Sequence, residues 1–224
     1  MTDETSKPCT VKQDSPCPAC PLPDKIHCRW NRQVLNGFFA IAFPAFIGTL
    51  VLLVMFFFIT GHWWPIVFYF ILIIVIFTCE IKFLCSHCPY YAADEKILKC
   101  LGNNGALKIW KCNPAPMTGG EKTLMKLLVA IFYLLIPVIT TVVVLGILLT
   151  GPYDMIVRAG AAGVAILTLW SCWSFITIMK AFYCSKCVNF SCPLNTVKKQ
   201  VVDDYLRKND VMREAWEKSG YKPD

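Results

Sequence analysis

The chain has 224 residues, is 56% hydrophobic and carries a formal charge of +7. A mean hydropathy of +0.51 excludes an ordinary soluble domain. After Asn195 seven basic residues are balanced by six acidic ones, which excludes a polybasic nucleic-acid or lipid-binding arm.

Residues 1–33 hold Pro8, Pro16, Pro18, Pro21 and Pro23 together with Cys9, Cys17, Cys20 and Cys28. Little apolar periodicity is present, so this segment is expected to need a ligand to fold. No basic-then-apolar start marks it as a signal peptide.

Four apolar runs follow, Val34–Thr60, Pro65–Leu84, Leu124–Thr150 and Met155–Tyr183. Each has about 20 residues or more, enough to cross roughly 30 Å of hydrocarbon as a helix. The polar remainder could not cover four buried helices of a soluble protein. The expected fold is therefore an all-α polytopic membrane protein.

The tight turns Gly61–Trp64 and Gly151–Asp154 pair the runs into two antiparallel hairpins, residues 34–84 and 124–183. Trp63 and Trp64 suit a headgroup belt. Of 22 Lys and Arg, only Arg158 lies near these turns. The positive-inside rule then puts both termini and the connection 85–123 in the cytoplasm of an inner, or cell, membrane.

The connection carries turn signals at Asn103-Asn104-Gly105 and Thr118-Gly119-Gly120, with a short helix expected over Asp94–Leu101. The tail 184–224 reads as two short helices. Val197, Val201, Tyr205 and Leu206 stripe the first, Asn209 or Asp210 caps the second, and Gly220 ends it.

A duplicated two-helix unit is suggested by three landmarks in one order. Lys25-Ile26-His27-Cys28 and Lys108-Ile109-Trp110-Lys111-Cys112 precede the hairpins, Thr60-Gly61 and Thr150-Gly151 open the outer turns, and Cys85-Ser86-His87-Cys88 and Cys184-Ser185-Lys186-Cys187 close them.

Eleven of the 13 cysteines fall just outside the runs, all on the side assigned to the cytoplasm. A reducing cytosol disfavours disulfides, so metal ligation is the leading reading. Three groups stand out: Cys9, Cys17, Cys20 and Cys28; Cys85, Cys88, Cys100 and Cys112; and Cys184, Cys187 and Cys192. In a Cys-x-x-Cys turn, two thiolates face one metal while backbone N–H groups point at the sulfurs. Four thiolates suit tetrahedral zinc or an iron–sulfur cluster.

The Cys-Pro junctions at Cys20-Pro21, Cys88-Pro89 and Cys192-Pro193 favour iron–sulfur, with Zn2+ as the alternative. Another grouping joins Cys85, Cys88, Cys184 and Cys187 across the two hairpins. Four helices with cytoplasmic cysteine motifs ending in Cys-Pro resemble small polytopic iron–sulfur proteins of anaerobic respiration. That resemblance is confined to Cys187–Pro193, where Cys187-x4-Cys192-Pro193 is more widely spaced than in those proteins.

The remaining candidates carry less. Cys79 and Cys172 lie inside apolar runs and read as packing residues, with a relay thiol as the alternative. His27 and His87 adjoin candidate ligands and read as solvated turn positions, with proton transfer as the alternative. His62 belongs among headgroups. Glu80 is the one acidic residue well inside a run, which allows a role in quinone protonation.

Asp154 and Arg158 are spaced to pair. Ala159–Gly163 offers small residues for a close helix contact. Pro44 and Pro137 are expected to kink their helices.

The resulting expectation is a membrane electron carrier, a redox subunit linking a soluble redox protein to a quinone or other lipid-soluble partner, within the lipid bilayer and without nucleic acid. The alternative is a zinc-stapled docking subunit of a membrane complex. A thiol–disulfide oxidoreductase is disfavoured, because the outer turns contain no cysteine.

Overall fold

The structure, a computed structural model, describes residues 7–12 and 20–224. Cys17 lies outside the described residues. Four helices are long and apolar enough to cross a membrane: α1 (Arg32–Thr60), α2 (Trp64–His87), α3 (Gly119–Thr150) and α4 (Met155–Cys184). Two short helices follow, α5 (Lys199–Arg207) and α6 (Asp210–Lys218). Among the described residues the only β pairing is an isolated antiparallel bridge, Ile97 to Leu107.

The chain divides into two compact units. One is drawn from Met1–Asn36, Thr78–Lys126 and Met179–Asp224, the other from Gly37–Phe77 and Leu127–Ile178.

In the second unit α1 and α3 contribute to both apolar clusters. Leu52 packs with Val144, Leu148, Ala161 and Ala165, while Leu53 packs with Tyr69, Ile76 and Phe132. The Tyr69 and Phe132 rings stack at 5.7 Å. The small-residue contact of α4 is made by Ala161 and Ala165, both buried, while nothing lies within 4 Å of where a Cβ would stand on Gly160 or Gly163. A close helix approach lies at Gly48, where an added Cβ would clash with Thr168 Oγ1. Phe58, Phe68, Ile74, Val142, Leu149 and Ile156 remain exposed, as lipid-facing side chains require.

Three helices contain a turn with the wider i→i+5 spacing: Glu80–Leu84 in α2, Ile131–Leu135 in α3 and Met179–Cys184 in α4. In α3 this turn ends two residues before Pro137, which has no N–H for the regular ladder. In α2 and α4 it leads directly into a Cys-x-x-Cys. Arg158 does not pair with Asp154 as its spacing suggested. Its guanidinium instead donates to the Gly151 carbonyl at 2.9 Å, capping the end of α3.

The first unit has its own core. Leu22 and Ile26, each 0% exposed, pack with Cys28, Cys85, Tyr90, Tyr91, Leu98, Cys100 and Val188, and with Val202, Tyr205, Leu206, Met212 and Trp216 of α5 and α6. The amino-terminal segment, expected to need a ligand to fold, thus contributes two of the most deeply buried side chains.

The tail helices form as their periodicity predicts. Gly220, at φ +89, ends α6 with Gly220 N–H donating to Glu217 and Tyr221 N–H to Trp216. The expected helix over Asp94–Leu101 is absent. Asn103-Asn104-Gly105, with Gly105 at φ +89, instead reverses the chain between two extended arms, so that Leu98 and Cys100 are buried and Ile97 and Leu107 exposed. A helix would scatter those residues around its circumference.

Candidate metal centre

Ten of the eleven candidate ligands are described, and all ten belong to the first unit. The groups separated along the chain by the membrane helices therefore share one unit.

Cys85 and Cys88 stand at the end of α2. Cys88 N–H donates to the Cys85 carbonyl at 2.9 Å, closing a tight turn. Pro89 keeps Cys88 extended, at φ −88 and ψ 137, so the chain leaves the turn rather than continuing the helix. The N–H of Tyr90 then donates to the Cys88 sulfur.

Cys100 lies in the turn closed by Gly105 N–H on the Leu98 carbonyl at 2.9 Å. Its sulfur accepts the N–H groups of Gly102 and Asn103. The Asn103 side-chain amide reaches back to the first turn, 3.3 Å from Cys85 Sγ and 3.0 Å from a Glu80 carboxylate oxygen.

In the tail, Asn189 N–H donates to Cys187 Sγ at 3.4 Å, and its side-chain amide donates to the Leu84 carbonyl at 2.8 Å. Asn195 fastens the same loop through the carbonyls of Cys187 and Asn189. The N–H groups of Leu194 and Asn195 donate to the Cys192 sulfur.

The amino-terminal cysteines gather elsewhere in this core. Cys28 is buried in it, Cys9 and Cys20 pack against it, and the buried Tyr205 hydroxyl is bonded to Thr10 Oγ1 at 2.6 Å. Asn209 stands at the N-cap of α6, as expected, but makes no side-chain capping bond, its side chain being bonded to Cys9 instead. Cys112 is exposed, with Lys108 as its charged neighbour, while Cys172 is buried within α4.

Electrostatics decide the state of these sulfurs without a cation. Desolvation, then the thiols of Cys187, Cys100 and Cys85, pushes Cys88 well above the usual thiol range. Desolvation likewise pushes Cys100 up to about 11, and Cys187 and Cys192 up to about 12. At neutral pH they are protonated. N–H groups aimed at buried sulfurs nevertheless suit a sulfur bearing negative charge, and a bound cation supplies the field that removes the proton.

Thiols are the donors that a thiophilic metal takes. Among the described residues, however, no three His, Cys, Asp or Glu side chains are arranged to hold a metal ion.

His87 is not the solvated turn residue expected. It is 6% exposed, with Nδ1 2.6 Å from the Ala115 carbonyl and Nε2 3.7 Å from a Glu121 carboxylate oxygen. His27 is half-buried, and desolvation, then Lys186, lowers its pKa. Sequence reasoning missed the asparagines. Asn189 and Asn195 follow Cys187 and Cys192 by two and three positions, a Cys-x-Asn and a Cys-x-x-Asn pattern that could have marked them.

Comparison with protein-family models, with curated proteins and with solved structures finds no match for this chain.

Proposed function

We propose that this chain is a multi-pass membrane protein that binds iron–sulfur clusters through its cytoplasmic cysteines and passes electrons between a soluble donor and a lipid-soluble acceptor. The observation that carries this reading is that ten of the candidate cysteines fall in one unit, where the Asn103 side-chain amide donates to the Cys85 sulfur at 3.3 Å and the Asn189 N–H to the Cys187 sulfur at 3.4 Å. Such donors stabilise thiolate ligands and tune the potential of what they bind. A cluster would supply a site that gains and loses one electron while its ligands stay in place.

The Lys and Arg distribution supports a cytoplasmic location for both termini and the connection. The tight turns at Gly61 and Gly151 support two antiparallel hairpins. The widened turns leading into Cys85-x-x-Cys88 and Cys184-x-x-Cys187 support a duplicated helix pair that delivers two cysteine knuckles alike. Glu80, which accepts from the Asn103 side-chain amide at 3.0 Å, would be the carboxylate that exchanges protons with a quinone.

Zinc is the second reading, favoured by the core that already joins the amino-terminal segment, the connection and the tail. There the metal would fasten a docking platform for a larger complex and perform no chemistry.

Anaerobic purification followed by iron, sulfide and zinc analysis separates the two. The proposal expects coloured protein whose visible absorbance bleaches on reduction. Colourless protein with stoichiometric zinc overturns it in favour of the platform.

A further inference from the structure

The connection between α2 and α3 turns one apolar face outward. Its two extended arms pair through Leu98 N–H on the Ala106 carbonyl at 2.8 Å and Lys108 N–H on the Lys96 carbonyl at 2.9 Å. Ile97 and Leu107 oppose each other between those bonds. A pair in that position holds its side chains close together on one side of the ladder. Side chains alternate along an extended arm, so Leu98 and Cys100 enter the core while Ile97 and Leu107 point away from it. Ile109, two positions after Leu107, continues the outward face. Ile97, Leu107 and Ile109 are 52%, 62% and 70% exposed.

The charges beside this face are lysines. Lys99 follows Ile97 and Lys111 follows Ile109 by the same two-residue step, and both are exposed. Lys108 is turned inward, onto the carbonyls of Tyr91 and Ala93. Of the nearby acids, Asp94 is bonded to Lys7 and Glu95 to Lys99. The Lys99–Glu95 pair is exposed on both sides and therefore weak, so Lys99 can still serve a second anion.

The make-up of the face selects its occupant. Protein interfaces concentrate Trp, Tyr and Arg and are poor in Lys. This face has three aliphatic side chains rimmed by lysines, with neither an aromatic ring nor an Arg among them. Such a set suits a lipid surface, where the aliphatics enter the acyl boundary and the ammonium groups meet phosphate. Tethering favours the same occupant. Ile97 stands ten residues after the end of α2, and Ile109 ten before the start of α3. Even fully extended, at about 3.5 Å per residue, each link keeps the face within roughly 35 Å of a helix end.

We propose that the face formed by Ile97, Leu107 and Ile109, rimmed by Lys99 and Lys111, docks on the anionic headgroup layer of the membrane that the four helices cross. This goes beyond the electron-transfer reading and needs no metal. It requires only that the four apolar helices lie in a bilayer. Cys100 lies on the inner side of the same arm, so docking ties lipid charge to the cysteine-bearing core.

The test uses the full chain with a photo-crosslinking amino acid in place of Leu107, one copy per nanodisc. The discs are made of phosphatidylcholine alone, or of two parts phosphatidylcholine to one part phosphatidylglycerol. Irradiated products are identified by intact mass. A phospholipid adduct is expected, formed several-fold more in the anionic discs. Lys99→Gln and Lys111→Gln are each expected to lower that yield, by up to about fivefold.

Absence of a phospholipid adduct from both discs overturns the proposal, whether the crosslinker stays unreacted or captures another part of the chain. Equal yields in the two discs, or yields unmoved by both lysine variants, overturn it too. Leu107 is exposed, so its replacement opens no cavity, and wild-type hydrogen exchange in α5 and α6 shows that each variant is folded. Metal content plays no part in these outcomes, so this proposal and the electron-transfer reading fail separately.

Discussion

Cys9 and Asn209 grip each other across 200 positions of sequence. The Cys9 N–H donates to the Asn209 side-chain oxygen at 2.6 Å, and the Asn209 amide donates back to the Cys9 sulfur at 3.4 Å. Asn209 also donates to the Tyr205 carbonyl at 2.7 Å, so one buried side chain joins the amino-terminal segment to the turn between α5 and α6.

Asn209→Leu is expected to loosen that junction. Removing the Asn209 acceptor costs the half-buried Cys9 N–H this hydrogen bond, worth about 1 kcal/mol. Hydrogen exchange over residues 7–12 and 20–31 should speed up while exchange in α1 stays as it was. Unchanged exchange in the amino-terminal segment would show that the pair holds nothing.

Leu22→Ala and Ile26→Ala each empty part of the core that α5 and α6 cover. Cavities of this kind cost about 2–5 kcal/mol. Limited proteolysis should cut both the amino-terminal segment and the tail sooner in either variant. Cleavage at only one of the two would mean that they do not share the core.

Gly48→Ala should destabilise the membrane helices by about 1–3 kcal/mol through overpacking. Thr168 cannot easily turn away, because its hydroxyl donates to the Val164 carbonyl at 2.7 Å. Adding Thr168→Ala should recover part of the loss. Thermal unfolding in detergent measures both, and additive losses would refute the contact.

The metal-free first unit should lose stability in alkali. Cys100 rises from 9.0 to about 11 and Cys187 from 9.0 to about 12, so folding favours the neutral thiol. That contribution is complete below about pH 9 and disappears as pH rises through the folded values. Denaturant midpoints measured across this window should fall, and fall less in Cys100→Ser/Cys187→Ser. Metal should have the opposite dependence below the window, binding more tightly as pH rises because the thiols must release protons. Metal affinity independent of pH would argue against thiol ligation.

Local chemistry made much of this molecule readable from residues alone. Hydrocarbon thickness sets a minimum length for a crossing helix, so four runs of sufficient length identify four candidate spans. The stripe on Lys199–Arg207 and the turn at Gly220 depend on near neighbours and were equally readable. Asp94–Leu101 was misread as a helix because Gly105, outside that window, reverses the chain and buries Leu98.

Burial, and which sulfurs meet, could not be obtained that way. Cys112 is the next cysteine after Cys100 and is exposed, whereas Asn189, two residues after Cys187, bonds the Leu84 carbonyl beside Cys85, and Val188 packs in the same core. His87 reads from sequence as a solvated turn position because the residues it bonds, Ala115 and Glu121, come from elsewhere in the chain. Periodicity and spacing record forces acting within a few residues, whereas the pairing of distant thiols depends on how the intervening segments pack, and only the folded chain decides that.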